Sequence, residues 1–436
     1  MTASNGFRPP ANRGFVFHED SAKLFVFSEQ FVTVAVGYPS PQAWSKTSVK
    51  PNWHHVRPGI RMRPGNLSGQ IEKLKSEMVD SPQLQLPFST TTGNSYVGEL
   101  ALLCFSNLHP LHLRNLISQF QNRHWHLLSF LCRCGDAAYD LAAANPALAY
   151  ALASNWAFHA PAVQRPLRSA RSLLKPGKSQ RDILRWLGFP GSEASRKVLR
   201  KVVPNSVTIQ ALWYLRHAMY DPKVMKILSH TSRLNAGVLR IVTDEALRAY
   251  VTPTFIDQTA AAKDEDKKIS TAFLLQDAMR MHEIVRPTGR RFPVINDRAA
   301  LSELHSCLVE DMKYIRLRDL YPEHIQFPPP PVPGNENILP ITSADELVRE
   351  GYEQENCVAS YFPDITMVQT HYVYRVIEPE RCTLSLEKRN DIRQLSDVAR
   401  KRNRVASKET WRLVEEWFAA ATESQHAIDP DSDMDI

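Results

Sequence analysis

Apolar positions near the N-terminus alternate with a period of two. Gly14-Phe15-Val16-Phe17, Lys23-Leu24-Phe25-Val26-Phe27 and Phe31-Val32-Thr33-Val34-Ala35-Val36 are separated by the turn-forming runs His18-Glu19-Asp20-Ser21 and Ser28-Glu29-Gln30. That pattern predicts a small antiparallel meander within residues 13–38. Residues 39–66, rich in Pro, Ser and basic side chains, read as loop, so 1–66 form one β segment with its loop.

From 97 to 315 the pattern turns helical. Asn145-Pro146 and Asp221-Pro222 each set a capping side chain before a proline suited to the first helical position. Runs such as Ala147-Leu148-Ala149-Tyr150-Ala151-Leu152-Ala153 put small residues on several faces, which predicts closely packed helices. Without a fixed repeat, the region reads as a bundle. Pro328-Pro329-Pro330-Pro331-Val332-Pro333-Gly334 then predicts a semi-rigid linker over 316–342.

Ser343-Ala344-Asp345-Glu346 is a capping box opening a helix that should stop near Asn356. Strands are expected at 371–377, 382–388 and 392–398, the first two joined by Glu378-Pro379-Glu380-Arg381. Ser407 should cap a last helix with Trp411, Leu413, Val414, Trp417 and Phe418 on its apolar face. Residues 343–424 therefore read as an α+β domain and 425–436 as an acidic disordered tail. The fold class is α+β: mostly a helical bundle, with an N-terminal antiparallel β segment and a C-terminal α+β domain.

Composition adds little to this picture. A chain of 436 residues, 43% hydrophobic and 23% charged, fits an ordinary soluble globular protein of two or three domains. No apolar run is long enough for a bilayer, the N-terminus lacks the plan of a secretory signal, and six scattered cysteines are no disulfide framework. A reduced cytoplasmic protein without membrane association is expected. The net charge of +7, with an acidic tail set apart, permits a polyanionic partner.

Chemistry-bearing residues crowd between Asn356 and Asn403. Cys357 sits where a helix ends, a place that disfavours a thiolate unless His371 or Arg375 offsets the dipole. A Cys357–His371 pair is one reading, and a small buried hydrophobe the other. On 382–388, Thr383, Ser385 and Glu387 share one face and Cys382, Leu384 and Leu386 the other. An Arg375–Glu387 cross-strand pair would be the ordinary structural use of that polar face. A lone carboxylate argues against glycosidase or two-metal chemistry.

Two basic clusters point toward phosphates. Arg400, Lys401, Arg402 and Arg404 put four cations in five residues. The second runs through Arg165, Arg168, Arg171, Lys175, Lys178, Arg181 and Arg185, then Arg196, Lys197, Arg200 and Lys201, opposed by Asp182 and Glu193. Arg168, Arg171 and Lys175 share one helical stripe, and nearby Trp186 and Phe189 either stack bases or fill the core. Gly177-Lys178-Ser179 is no phosphate loop, because Ser172 stands where the first glycine must be. His124, His126, Cys132 and Cys134 have spacings that split each pair around a helix, so neither metal nor cofactor is expected.

The C-terminal block resembles the PcfJ-like family, named for an open reading frame of a conjugative plasmid. The resemblance rests on Cys357, Val358, Ser360 and Tyr361 at a helix end, then Arg375, then Thr383 and Glu387, then Gln394 and Asn403. The helical region is similar to proteobacterial members at Asn145-Pro146-Ala147-Leu148-Ala149 and Leu184-Arg185-Trp186-Leu187-Gly188-Phe189-Pro190-Gly191, so it covers 140–405. Ala359 departs from a more familiar Gly, and the 400–404 loop lacks a Gly beside its Asn. The resemblance implies a ligand pocket at these residues and a link to mobile elements, in conjugation or defence. Nucleic-acid binding leads the functional readings. An enzyme using Cys357, His371 and Glu387 on a nucleotide or nucleic-acid phosphate follows, then a helical scaffold with a protein partner.

Overall fold

The computed structural model describes residues 14–27, 31–47, 50–79, 95–154, 166–262, 265–285, 291–312, 327–389 and 392–428. The chain forms two compact units, Met1–Glu245 and Ala246–Ile436. Each carries one five-stranded antiparallel sheet among helices, an α+β fold with an N-terminal β segment and a C-terminal α+β part. Among the described residues, no helix is long and apolar enough to cross a membrane.

In the first unit, β1 (Gly14–His18), β2 (Lys23–Phe27), β3 (Phe31–Val36), β4 (Gln42–Thr47) and β5 (His54–His55) lie in sequence order. The first three are the alternating runs. The last two fall where a loop was expected. Their inward positions are Ala43 and Ser45, too small and polar to register as a hydrophobic alternation, yet both are buried. They continue the face of Leu24, Val26, Thr33 and Ala35, and Thr33 Oγ1 donates to Ser45 Oγ at 3.0 Å. Phe17 meets Phe105 of the Ser95–Asn107 helix edge-on, with ring centres 6.4 Å apart.

Both expected proline-led caps form. Asn145 Oδ1 accepts from Leu148 N–H at 3.3 Å, and Asp221 Oδ1 accepts from Lys223 N–H at 2.8 Å. The Pro146–Ala153 helix is buried on every side from Ala147 to Ala153, as its small residues require.

The second unit takes in the helices Pro253–Ala261, Glu265–Val285 and Arg298–Met312, so the division falls inside the region expected to be one bundle. Its sheet runs β10-β9-β8-β7-β6, with β6 at Ile338–Pro340, β7 at His371–Val376, β8 at Cys382–Arg389, β9 at Ile392–Arg400 and β10 at Arg404–Val405. The Ala344–Gln354 helix starts at its Ser343 cap, and Lys408–Ile428 follows the Ser407 cap.

Where it is described, the expected linker is part of the domain. β6 pairs antiparallel with β7, placing Ile338 opposite Val376. Val332 is buried; its N–H donates to the Tyr374 hydroxyl at 3.1 Å, which donates back to Val332 O at 2.8 Å. Trp417 Nε1 donates to Pro333 O at 3.0 Å. Prolines remove backbone donors but keep carbonyls, and aromatic side chains of the sheet and last helix use those acceptors. Residues 316–326 and most of the acidic tail, 429–436, lie outside the described residues.

Candidate functional site

The turn after Gln354 shapes the first cluster. Glu355 closes the helix in the left-handed region (φ 47°), and buried Asn356 then works in two directions. Its side-chain oxygen accepts from Val358 N–H at 3.1 Å, and its amide donates to Thr383 Oγ1 at 3.0 Å. The chain enters a tight turn, Val358–Tyr361, with Cys357 buried at its start. Ala359 is not among the residues with positive φ, so its departure from glycine carries no strain there.

Cys357 does not pair with His371. Its thiol hydrogen-bonds the Asp277 carboxylate on the Glu265–Val285 helix. Burial first, then the Asp277 charge, push the thiol well above its ordinary range, so it stays protonated. His371 instead lies against Tyr361, with ring centres 5.2 Å apart, and shares a hydrogen bond of 3.1 Å with Thr370 Oγ1. Burial lowers its pKa against the opposing pull of Asp364 and Glu387, so the imidazole is neutral at pH 7. The Arg280 guanidinium covers the Tyr361 ring at 4.5 Å and lies 3.7 Å from Asp364. Sequence reasoning missed Asp277 and Arg280, which come from a helix distant in the chain, and Asp364, which lies on the short Phe362–Thr366 helix between Tyr361 and His371.

A second network replaces the expected Arg375–Glu387 pair. Register sets Arg375 opposite Thr383, and Glu387 opposite His371 and Gln394. Arg375 Nε donates to Glu350 at 2.9 Å, Arg381 donates to both Glu350 oxygens, and Thr383 Oγ1 donates at 2.7 Å. Glu350 has 0% exposure. Its inward place was visible in principle: Ala344, Leu347, Glu350, Gly351 and Gln354 recur at helical spacing and are all buried. With both oxygens occupied, this carboxylate ties the helix to β7 and β8, and Thr383 carries that order to Asn356.

The 400–404 loop folds back on carboxylates. Lys401 Nζ lies 2.6 Å from Glu355, Arg402 also pairs with Glu355, and Arg400 lies 3.3 Å from Glu380. Arg402 and Asn403 take left-handed backbone (φ 61° and 53°), the conformation for which a glycine was expected. Arg404, Asn403 and Gln394 are exposed. Most of the loop's charge is thus locally matched.

The upstream cluster divides. Lys201 is structural: its Nζ donates to Ser229 O at 2.6 Å and Thr231 O at 2.9 Å, closing the Pro222–His230 helix. Arg171 donates to Arg133 O, and Arg196 pairs with Glu193. Arg165 and the side chain of Arg168 lie outside the described residues. Lys175, Lys178, Arg181, Lys197 and Arg200 are exposed. Phe189 is core, and Trp186 is half-buried.

A surface the sequence reading missed lies beside these cations. Trp213, Tyr214 and Tyr220 are 43%, 46% and 63% exposed, on and just after the Ile209–Ala218 helix. Trp213 packs on Tyr214 and His217, with ring centres 5.3 and 4.4 Å away. Tyr220 OH donates to Gly188 O at 3.2 Å, and Arg216 to Leu187 O at 3.4 Å. Those bonds join it to the end of the Gln180–Trp186 helix, which carries exposed Arg181 and Arg185, the latter paired with Asp182 at 3.0 Å. The signal was the break in periodicity: inward Leu212, Leu215 and Met219 leave Trp213, Tyr214 and Tyr220 outside.

No family model, no curated protein and no solved structure matches this chain.

Proposed function

We propose that this protein binds single-stranded nucleic acid on the surface carrying Trp213, Tyr214 and Tyr220. The observation behind this reading is three large, solvent-exposed aromatic side chains joined to a helix bearing Arg181 and Arg185. Aromatic faces stack on unpaired bases of any identity, while guanidiniums meet the phosphates. Lys175 and Lys178 on the turn before that helix, and Lys197 and Arg200 on the Glu193–Arg200 helix packed against it, are also exposed. The resemblance to the PcfJ-like family supports a role in mobile-element biology, conjugation or defence, in the cytoplasm.

The enzyme reading has one favourable observation, the convergence of Cys357, Asp277, Arg280, Tyr361 and His371. A thiol held neutral by a carboxylate is a poor nucleophile, and Glu387 faces His371 rather than Cys357, so that reading ranks second. The test is fluorescence anisotropy with single- and double-stranded DNA and RNA at two salt concentrations. Single strands should bind more tightly than duplexes, with affinity falling as salt rises. Trp213→Ala and Tyr220→Ala should each cost about 1–3 kcal/mol. Absence of binding at low salt, or indifference to both substitutions, would end the proposal.

A further inference from the structure

A second feature of the first unit is unconnected to the aromatic surface. A half-open cleft of about 270 Å³ lies between the β4–β5 edge of the sheet and the helices His124–Cys134 and Pro146–Ala153. Its polar lining includes His55, Arg57, His126, Ser129 and Arg133, and Trp125 and Leu152 give it an apolar wall. Among the described residues no carboxylate lines it.

Two of the basic groups, Arg133 and His126, are held by hydrogen bonds. Arg133 Nη2 donates to Pro41 O at 3.2 Å, which ties the guanidinium to the sheet edge. Behind the lining, Arg123 donates to His126 Nε2 at 3.1 Å. A guanidinium has only N–H donors, so His126 Nε2 must be the acceptor and the neutral ring carries its proton on Nδ1. Arg57 has no hydrogen bond or ion pair among the described residues, although it stands within electrostatic reach of both Arg123 and Arg133. Its pKa is drawn down by burial and by those two charges, and no carboxylate opposes them. Arg57 and Arg133 are both exposed at the cleft, so water screens their mutual repulsion, and the cleft offers an anion two guanidiniums with no carboxylate in the lining to compete for them.

We infer that this cleft binds a phosphomonoester, with Arg57 and Arg133 on the phosphate and the organic part against Trp125 and Leu152. Planar guanidiniums match phosphate oxygens with paired hydrogen bonds. The volume lies near the lower end of small-molecule sites, which suits a ligand of nucleoside-monophosphate size rather than a bare ion. The inference goes beyond nucleic-acid binding and involves none of the residues assigned to it.

Isothermal titration calorimetry of the full chain tests it with a nucleoside monophosphate, inorganic phosphate, the parent nucleoside and a 5′-phosphorylated oligonucleotide. The monophosphate should saturate a single site, inorganic phosphate should bind more weakly, and the nucleoside should give no heat. Arg57→Gln should weaken monophosphate binding about tenfold or more, since a charge-assisted hydrogen bond contributes about 1.5–3 kcal/mol. Arg57→Lys should recover part of it, and Trp213→Ala should leave it unchanged. Arg57 has no described partner to lose, so the melting temperature should hold. If only the phosphorylated oligonucleotide binds, and does so through Arg57, the phosphate comes from a strand end rather than a free metabolite. Absence of monophosphate and strand-end binding, or equal affinity in Arg57→Gln, would overturn the inference.

Discussion

At Glu350 a fully buried carboxylate accepts from two guanidiniums and a threonine hydroxyl. Glu350→Gln keeps the shape but removes the buried counter-charge of Arg375 and leaves Arg381 only its exposed pairing with Glu353, at a cost of about 3–5 kcal/mol. Urea unfolding of the variant measures this; a loss near zero would mean that water reaches the pair. Cys357 offers a second residue-scale test. Its thiol is buried and hydrogen-bonded to Asp277, whereas Cys307 is exposed. Maleimide labelling of the folded protein, read by mass spectrometry, should modify Cys307 at least about tenfold faster than Cys357. Equal rates would restore Cys357 as a nucleophile. Position and residue type made Cys357, Tyr361 and His371 legible in the sequence. Their partners were not, because Asp277 and Arg280 reach the turn only through tertiary packing.

Among the elements, strands and caps follow local rules and were readable. Alternation located β1 to β3, and capping side chains located helix starts at Asn145, Asp221 and Ser343. β4 escaped because its inward residues are Ala43 and Ser45, and β6 because proline-rich chain does not announce a strand. Lys201 looked like part of a basic surface, yet it closes a helix thirty residues on by bonding Thr231 O. Lys201→Ala should cost about 1 kcal/mol by removing a cation from a helix C-terminus. A thermal melt of that variant checks it, and an unchanged midpoint would return Lys201 to the surface cluster.

Across the whole molecule, histidines held neutral by burial occur in both units. His126 is lowered to about 3 and His305 to about 4, and His109, His124 and His371 are lowered as well. In the unfolded chain each titrates near its ordinary value of about 6.5, so below that pH the unfolded state binds more protons. Their neutral burial costs nothing in stability above pH ~6.5, and stability falls progressively as pH drops toward the folded values. The apparent melting temperature should therefore begin to fall below pH ~6.5, ahead of carboxylate protonation. A flat profile between pH ~6.5 and ~5 would contradict these protonation states.

If the surface bearing Trp213, Tyr214 and Tyr220 receives the strand, its aromatic rings lie against the bases. The most direct measurement is ultraviolet cross-linking of the full chain to a uniformly labelled single strand, with adducts mapped by mass spectrometry. Adducts should fall within Ile209–Tyr220 and disappear in a Trp213→Ala, Tyr220→Ala double variant. Adducts confined to the Arg400–Arg404 loop, or none above background at low salt, would contradict it.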